Sequence, residues 1–110
     1  MARIRTIKPD FWTDEKVVEL SFGARLLFIG CWNFADDNGN LPRSEKKLKM
    51  QIFPADSVNC EQLIKELVDH GLLMEYSVST GEIFLHIPGF KKHQVINRPS
   101  KSAIPQPEIH

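Results

Sequence analysis

The 110-residue sequence predicts a mostly α-helical domain that ends in a small β-hairpin. Apolar residues recur at helical spacing in successive segments before residue 71. Two short β-type runs follow, separated by Ser79, Thr80 and Gly81, which are typical of a three-residue hairpin loop. The apolar fraction of 42%, with seven Phe and two Trp, is enough for one hydrophobic core. We therefore expect one domain over residues 1–90.

The first third of the chain predicts an extended arm and two helices. Pro9 disfavours helix in the residue before it, so residues 1–10 are expected to form an extended arm. Thr13 is a candidate N-cap for a short helix that ends near Ser21. Ser21 can cap a second helix over about residues 22–35, which is apolar around most of its circumference and is therefore expected to be central and buried.

Turn residues 36–39 end the second helix, and Asn40–Pro42 is a candidate short strand. Ser44 can begin a third helix, which Pro54 ends.

A fourth helix is expected over about residues 58–70, with either Ser57 or Asn59 as its N-cap. The two β-type runs cover residues 72–78 and 82–88. In the second run, one face of a half-buried strand is predicted to consist of Ile83, Leu85 and Ile87.

Helix, helix, short strand, helix, helix and hairpin is the element order of a winged helix-turn-helix domain. The buried second helix supports the pair formed by the third and fourth helices, and the hairpin covers the open side of that pair. In this arrangement the fourth helix takes the recognition position, with its N-terminal residues facing base edges.

The net charge is zero, but the charges are segregated along the chain. Residues 1–50 carry nine basic and seven acidic side chains (+2), residues 51–88 carry one and six (−5), and residues 89–110 carry four and one (+3). A basic face is therefore compatible with a neutral protein.

Several motifs resemble phage and mobile-element replication proteins. They lie at residues 4–12, 24–30, 32–37, 89–94 and 97–100. The family looks like replication-initiator or replisome-organiser proteins with an N-terminal, DnaD-like winged-helix domain. The resemblance implies binding to double-stranded origin DNA and recruitment of host or phage replication proteins through a separate C-terminal region. It also implies that this chain is the DNA-binding region of a longer protein.

Candidate DNA contacts fall into three groups. On and before the third helix, phosphate contacts are expected from Arg43, Ser44, Lys46, Lys47 and Lys49. At the start of the fourth helix, contacts to base edges are expected from Ser57, Asn59, Gln62 and Lys65. The two arms contribute Arg3, Arg5, Lys8, Lys91, Lys92, His93, Gln94, Asn97, Arg98 and Lys101.

Each group has an alternative interpretation. Glu61, Glu66 and Asp69 make the fourth helix net negative, so it could be a packing helix with a solvated acidic face. The lysines of the third helix could form an ordinary solvated face. Residues 91–110, basic and rich in proline, could be a linker rather than a DNA-binding arm.

The sequence does not favour catalysis, a cofactor or a bound metal. Residues 36–40 resemble a metal loop, but the glycine is misplaced for an EF-hand and the terminal glutamate is missing. Cys31 and Cys60 lack zinc-site spacing, so free thiols are expected. No phosphate loop, nucleotide fingerprint or nucleophile elbow is present.

The N-terminus lacks the apolar segment of a signal peptide, and no apolar run has membrane-spanning length. We therefore expect a protein of the bacterial cytoplasm, close to the nucleoid, with no membrane partner.

Two further functions stay open. One is a transcriptional repressor of the same fold that binds operator DNA. The other is a protein-docking module of a replisome organiser that does not bind DNA. A homodimer on repeated half-sites is compatible with either DNA-binding function, and an exposed aromatic near Phe11 and Trp12 is a candidate dimer contact.

Overall fold

The computed structural model of the chain describes residues 2–96 and 104–107. This part is mostly helical and carries one small antiparallel sheet, which confirms the predicted mixture of helices and hairpin. The elements are a 3-10 helix at Pro9–Thr13, α1 (Glu15–Val18), α2 (Phe22–Phe34), β1 (Asn40–Pro42), α3 (Glu45–Ile52), α4 (Cys60–Asp69), β2 (Met74–Ser77), β3 (Ile83–His86) and α5 (Phe90–His93). None of the helices in these ranges is long and apolar enough to cross a bilayer.

Side-chain caps fix the starts of the helices. The side chains of Ser21, Ser44 and Asn59 each accept a hydrogen bond from the backbone N–H three residues later, so these three predicted caps are confirmed and Ser57 is not the cap of α4. The prediction of Thr13 as a cap is wrong. Thr13 is the last residue of the 3-10 helix, and the carboxylate of Asp14 caps α1 instead.

The sheet has the strand order β1-β3-β2, with both pairs antiparallel. The hairpin between β2 and β3 is closed where the backbone N–H of Val78 donates to the carbonyl of Glu82 at 3.1 Å. The three residues between them form the loop, as predicted, although the regular strands are shorter than the β-type runs of the sequence.

Both faces of β3 are covered, which contradicts the simple alternation predicted for this strand. Leu85 faces the helical core with Leu41, its partner on β1. Phe84 points to the opposite face but is also buried, because it stacks on Tyr76 of β2 with 5.6 Å between ring centroids. Ile83, expected to be buried, is exposed.

The helix α2 runs through the centre of the fold, and α3 and α4 approach it at glycine positions. A Cβ atom on Gly30 would lie 2.6 Å from Cδ1 of Ile52 in α3, and one on Gly23 would lie 3.2 Å from Cδ1 of Leu63 in α4. The prediction that α2 is central and buried holds for most of its apolar positions but not for Phe22 and Leu26. Phe22 is 80% exposed and Leu26 is 58% exposed, because neither α3 nor α4 covers that side of the helix.

Backbone and side-chain hydrogen bonds hold the turn before β1. One carboxylate oxygen of Asp36 accepts from the backbone N–H groups of Asn38 and Asn40, both at 2.9 Å. Gly39 has a φ of 82°, and a Cβ there would lie 2.7 Å from Cβ of Phe90. Glycine is thus required here both for the backbone conformation and for the packing of α5.

The prediction that the C-terminal arm begins at residue 91 is wrong, because Lys91, Lys92 and His93 belong to α5. The buried side chain of Phe90 anchors this short helix, and Gly89 supplies its left-handed N-terminal residue.

Candidate nucleic-acid interface

The arginines in the described ranges contact carboxylates or backbone carbonyls of the domain itself. Arg5 was predicted to contact DNA, but its side chain is only 6% exposed. It donates to the backbone carbonyls of Trp32, Ala35 and Asp36 and lies 3.3 Å from the carboxylate of Asp37. All of these contacts face the interior, so the structure places Arg5 in the scaffold.

Arg3 shares the same carboxylate at 3.4 Å, but it is 32% exposed. The backbone around it is fixed to α2, because Arg3 N–H donates to the carbonyl of Asn33 and the Asn33 amide donates back to the Arg3 carbonyl, each at 2.8 Å. The N-terminal segment is irregular up to Lys8 and lies against the domain, and the predicted arm ends two residues early because Pro9 and Asp10 belong to the 3-10 helix.

Arg43 connects three elements. It stands just before α3, and its guanidinium pairs with Glu61 in the first turn of α4 and with Glu75 on β2 at 3.0 Å. These two carboxylates raise the pKa of Arg43 above its ordinary value despite partial burial, and the hydrogen bond from Arg43 lowers the pKa of Glu61. The ion pairs place the first turns of α3 and α4 side by side, and the two carboxylates offset the charge of Arg43 and compete with a phosphate for its donors.

The lysines of α3 behave differently from the arginines. Between described residues, every ion pair belongs to an arginine, so Lys46, Lys47 and Lys49 have no carboxylate partner there. Lys46 and Lys47 are exposed and Lys49 is half-buried. They do not share one face. Lys46 and Lys49 are three residues apart on one side of the helix, whereas Lys47 lines a cleft beside β1.

Two of the three carboxylates that make α4 net negative have partners within the domain. Arg43 holds Glu61, and the carboxylate of Glu66 accepts from the backbone N–H and the hydroxyl of Ser21 at 2.7 and 2.8 Å. Gln62 and Lys65 are exposed on the outer side of the helix, together with Asp69 near its end. The side chains available for base contacts are therefore Gln62 and Lys65.

Asn59 is less suited to base reading than the sequence suggested. Its side-chain oxygen accepts from the backbone N–H of Gln62 at 3.1 Å, as the N-cap of α4. Bidentate pairing with adenine needs both the amide oxygen and the amide nitrogen. Asn59 would have to give up the cap to make that pairing. Ser57 is exposed in the loop before α4, and Ser44 is committed to capping α3.

A second group of cations surrounds α5. Lys91, Lys92 and His93 are exposed, and the ammonium group of Lys8 donates to the carbonyl of Lys92 at 3.1 Å. This contact brings Lys8 to the same surface, which unites predicted residues from both ends of the chain. Asn97, Arg98 and Lys101 lie outside the described residues.

Gln94 has a structural role that its sequence context did not reveal. It is buried, and its side-chain amide pairs with the backbone of Thr6 in both directions, at 2.9 Å each. This pairing imitates one step of a β-ladder and closes the N-terminal segment onto α5. No local sequence signal marks Gln94 for this role, since the two partners are 88 positions apart.

The hairpin loop carries no Lys or Arg, as the sequence stated. Glu82, which directly follows the loop, accepts from the hydroxyl of Thr80 at 3.2 Å. The loop therefore offers no cation for a phosphate.

Groups capable of metal or thiol chemistry are not assembled into a site in this part of the chain. Across residues 2–96 and 104–107, no cluster of three or more His, Cys, Asp or Glu side chains could hold a metal ion. Cys31 and Cys60 are buried free thiols, and burial raises the pKa of Cys31 to about 12. A thiol that stays protonated is a poor nucleophile.

Comparisons of the chain with protein-family models, curated proteins and solved structures gave no match.

Proposed function

We propose that this chain is a winged-helix-type domain that binds double-stranded DNA, in keeping with the resemblance of its motifs to replication initiators. The observation that carries the proposal is the surface of the helix pair. Arg43 holds the first turns of α3 and α4 together, and the neighbouring Lys46 and Lys49 of α3 and Lys65 of α4 have no acidic partner among the described residues. The element order and the strand order β1-β3-β2 suit a winged helix.

In the proposed mode, lysines supply affinity and one helix start supplies sequence preference. Lys46 and Lys49 neutralise phosphates from one side of α3 and Lys47 from the neighbouring side, and Lys8, Lys91 and Lys92 at α5 offer a separate group of phosphate contacts. Gln62 and Lys65 reach base edges from the first turns of α4. The loop of the hairpin takes no part, because it has no cation.

The test is fluorescence anisotropy of the chain with two labelled duplexes across a salt series. One duplex carries origin-like repeats from beside the gene, and the other is a scrambled version of it. A binder with six phosphate contacts gives a log–log salt slope of about −5. A third duplex from the promoter region separates the initiator from the transcriptional repressor, which should prefer the promoter.

We expect the triple variant Lys46→Gln, Lys47→Gln and Lys49→Gln to bind both duplexes more weakly. Each lost phosphate contact should make the salt slope shallower by about 0.9, because one fewer counterion is released. The single variant Lys16→Gln is the matched control. Lys16 is exposed near Gly71, beyond the C-terminal end of α4, and its loss should leave the slope unchanged.

An unchanged slope in the triple variant would contradict the phosphate role of α3. Absence of binding to all duplexes at low salt would exclude DNA binding by this chain. A protein-docking module is then the second candidate, and the exposed apolar pair Phe22 and Leu26 on α2 is the observation that favours it.

A further inference from the structure

The outer face of the sheet, opposite the helical core, is buried at two positions. The inner face presents Leu41 and Leu85 to the core, so the outer face carries the alternate residues of each strand. Asn40 and Phe84 lie on this outer face, yet Asn40 is 0% exposed and Phe84 is 7% exposed.

Residues 104–107, which we name the C-terminal strap, lie against this face. The hydroxyl of Tyr76 donates to the carbonyl of Pro105 at 2.7 Å, and the side-chain amide of Asn40 donates to the side-chain oxygen of Gln106 at 3.0 Å. Pro107 is buried. In both hydrogen bonds the strap supplies the acceptor and the sheet supplies the donor.

The first residue of the strap, Ile104, reaches a cleft of about 140 Å³ between the sheet and α3. The apolar walls of this cleft include Phe34, Leu41 and Leu48, and Lys47 lies at its edge. The site thus combines a cleft of mixed apolar and polar lining, which Ile104 helps to form, with two fixed donors further along the segment.

The donor on Asn40 is held in place by its surroundings. Its amide oxygen accepts from Nδ1 of His86 at 2.6 Å, and its backbone N–H donates to Asp36 at 2.9 Å. These bonds aim the amide nitrogen at the strap. A segment that covers this face without an acceptor at the position of Gln106 would leave this N–H group buried without a partner, which is costly.

The donor on Tyr76 is also fixed. Its ring stacks on Phe84, and burial together with the nearby charge of Asp36 raises the pKa of Tyr76 to about 12. The hydroxyl therefore remains protonated, and able to donate, throughout the neutral range.

The sequence of the strap favours the bound conformation. Ile104 and Gln106 each precede a proline, and a residue before proline avoids the helical region and prefers extended or polyproline II backbone. An extended, pre-ordered segment loses little entropy on binding. Docking of proline-rich segments on aromatic grooves is a recurrent mode of peptide recognition.

We propose that the outer face of the sheet is a recognition site for an extended Ile-Pro-Gln-Pro segment. The chain's own strap occupies the site, and the strap of a second copy is the ligand that it takes in exchange. The inference does not depend on DNA binding. Because the covalently attached strap competes at an effective concentration of about millimolar, exchange requires that the resident strap be weakened or the chain concentrated.

The test uses a fluorescent synthetic peptide of residues 102–109 and two forms of the full chain. One form is unmodified, and the other is a release variant with Pro105→Gly and Gln106→Ala, which weaken the resident strap. The peptide should bind the release variant saturably at about millimolar concentration or below, and the unmodified chain at least about tenfold more weakly.

Specificity is checked on both partners. Adding Tyr76→Phe to the release variant removes one donor but keeps the ring, and should weaken peptide binding about tenfold. A peptide in which the glutamine is alanine should lose binding to a similar extent, because the amide of Asn40 then has no acceptor. Absence of saturable binding to a release variant with an unchanged circular dichroism spectrum would overturn the proposal, as would equal affinity after Tyr76→Phe.

Exchange between copies is tested with isotopically labelled release variant and unlabelled Tyr76→Phe chain, whose own strap is intact but loosely held. The labelled Asn40 side chain should show the same chemical-shift change as it shows with the peptide. No change at concentrations where the peptide saturates would exclude a second copy as donor.

A readout in the unmodified chain covers the case in which the release variant does not fold. The backbone amide of Gln106 should show the heteronuclear NOE of an ordered residue, and Tyr76→Phe should lower that value. An NOE typical of a free chain end in the unmodified protein would overturn the proposal.

Discussion

Arg3 and Arg5 are two residues apart in sequence and contact the same carboxylate, yet their surroundings differ. Arg5 adds three backbone carbonyls to its ion pair with Asp37, and it lies 4.8 Å from the centre of the Phe90 ring. Its planar, five-donor head can satisfy these separate acceptors at once, which an ammonium group cannot. Arg5 is therefore the side chain that holds the N-terminal segment and α5 to the end of α2.

We expect Arg5→Ala to lower the free energy of unfolding by about 3 kcal/mol, because it leaves the buried carboxylate of Asp37 with one fewer partner and strands several carbonyls. Arg5→Lys should also lower the free energy of unfolding, by a large part of the same amount, because an ammonium group cannot reach all of these acceptors. Urea denaturation of Arg3→Ala provides the comparison, since Arg3 contacts the same carboxylate from a more exposed position. Equal losses for Arg3→Ala and Arg5→Ala would contradict the scaffold role of Arg5.

At the scale of the element, the residue that caps α4 differs from the residues that we propose to contact DNA. Asn59 caps the helix, whereas Gln62 is exposed and uses only its backbone N–H in that cap. A single sequence cannot distinguish these roles, because Asn and Gln offer the same polar groups to a base edge.

Asn59→Ala should destabilise the domain by about 1 kcal/mol through loss of the cap, and Gln62→Ala should change stability by less than about 0.5 kcal/mol. Thermal denaturation measures both. In the anisotropy assay, Gln62→Ala should reduce the preference for the native repeats over the scrambled duplex. If Gln62→Ala leaves that preference intact, base reading by the start of α4 is wrong.

Over the whole molecule, a pH dependence of stability is expected from His86, a half-buried residue on the same face of the sheet as Asn40 and Tyr76. Burial lowers the pKa of His86 below its ordinary value of 6.5, and this effect outweighs the attraction of nearby Asp36. The unfolded chain therefore binds a proton at a higher pH than the folded chain does. Stability is lost as the pH falls from above 6.5 to the lower pKa of the folded state, and this contribution then levels off.

We expect the free energy of unfolding to decrease between about pH 7.5 and pH 5.5, and His86→Gln to flatten that decrease. Urea denaturation at a series of pH values gives the slope. His93→Gln, at an exposed position on α5, is the matched control and should keep the slope of the unmodified chain. A slope that survives in His86→Gln would assign the pH dependence to other groups.

Features that depend on near neighbours could be predicted from the sequence. The caps Ser21 and Ser44 were predicted, and the cap of α4 was narrowed to Ser57 or Asn59, because a cap acts within its own helical turn. The short strand Asn40–Pro42 followed from the turn residues before it.

Features that depend on distant contacts could not be predicted. The exposure of Phe22 is decided by the side of α2 that α3 and α4 cover, and the burial of Arg5 is decided by partners about 30 positions away. The prolines near the end of the chain indicated a linker. The contact between the Tyr76 hydroxyl and the Pro105 carbonyl could not be predicted, because only the folded sheet brings the two groups together.

The pairing of Thr6 with Gln94 has a consequence for biosynthesis. Thr6 leaves the ribosome among the first residues, but its partner is made 88 residues later. The nascent N-terminal segment can make its contacts with α2 early, but its closure onto α5 must wait until nearly the whole domain has been translated, and until then this edge is open to chaperones and proteases. Slow translation of the α2-to-β3 region would lengthen this exposed interval without changing the stability of the finished protein.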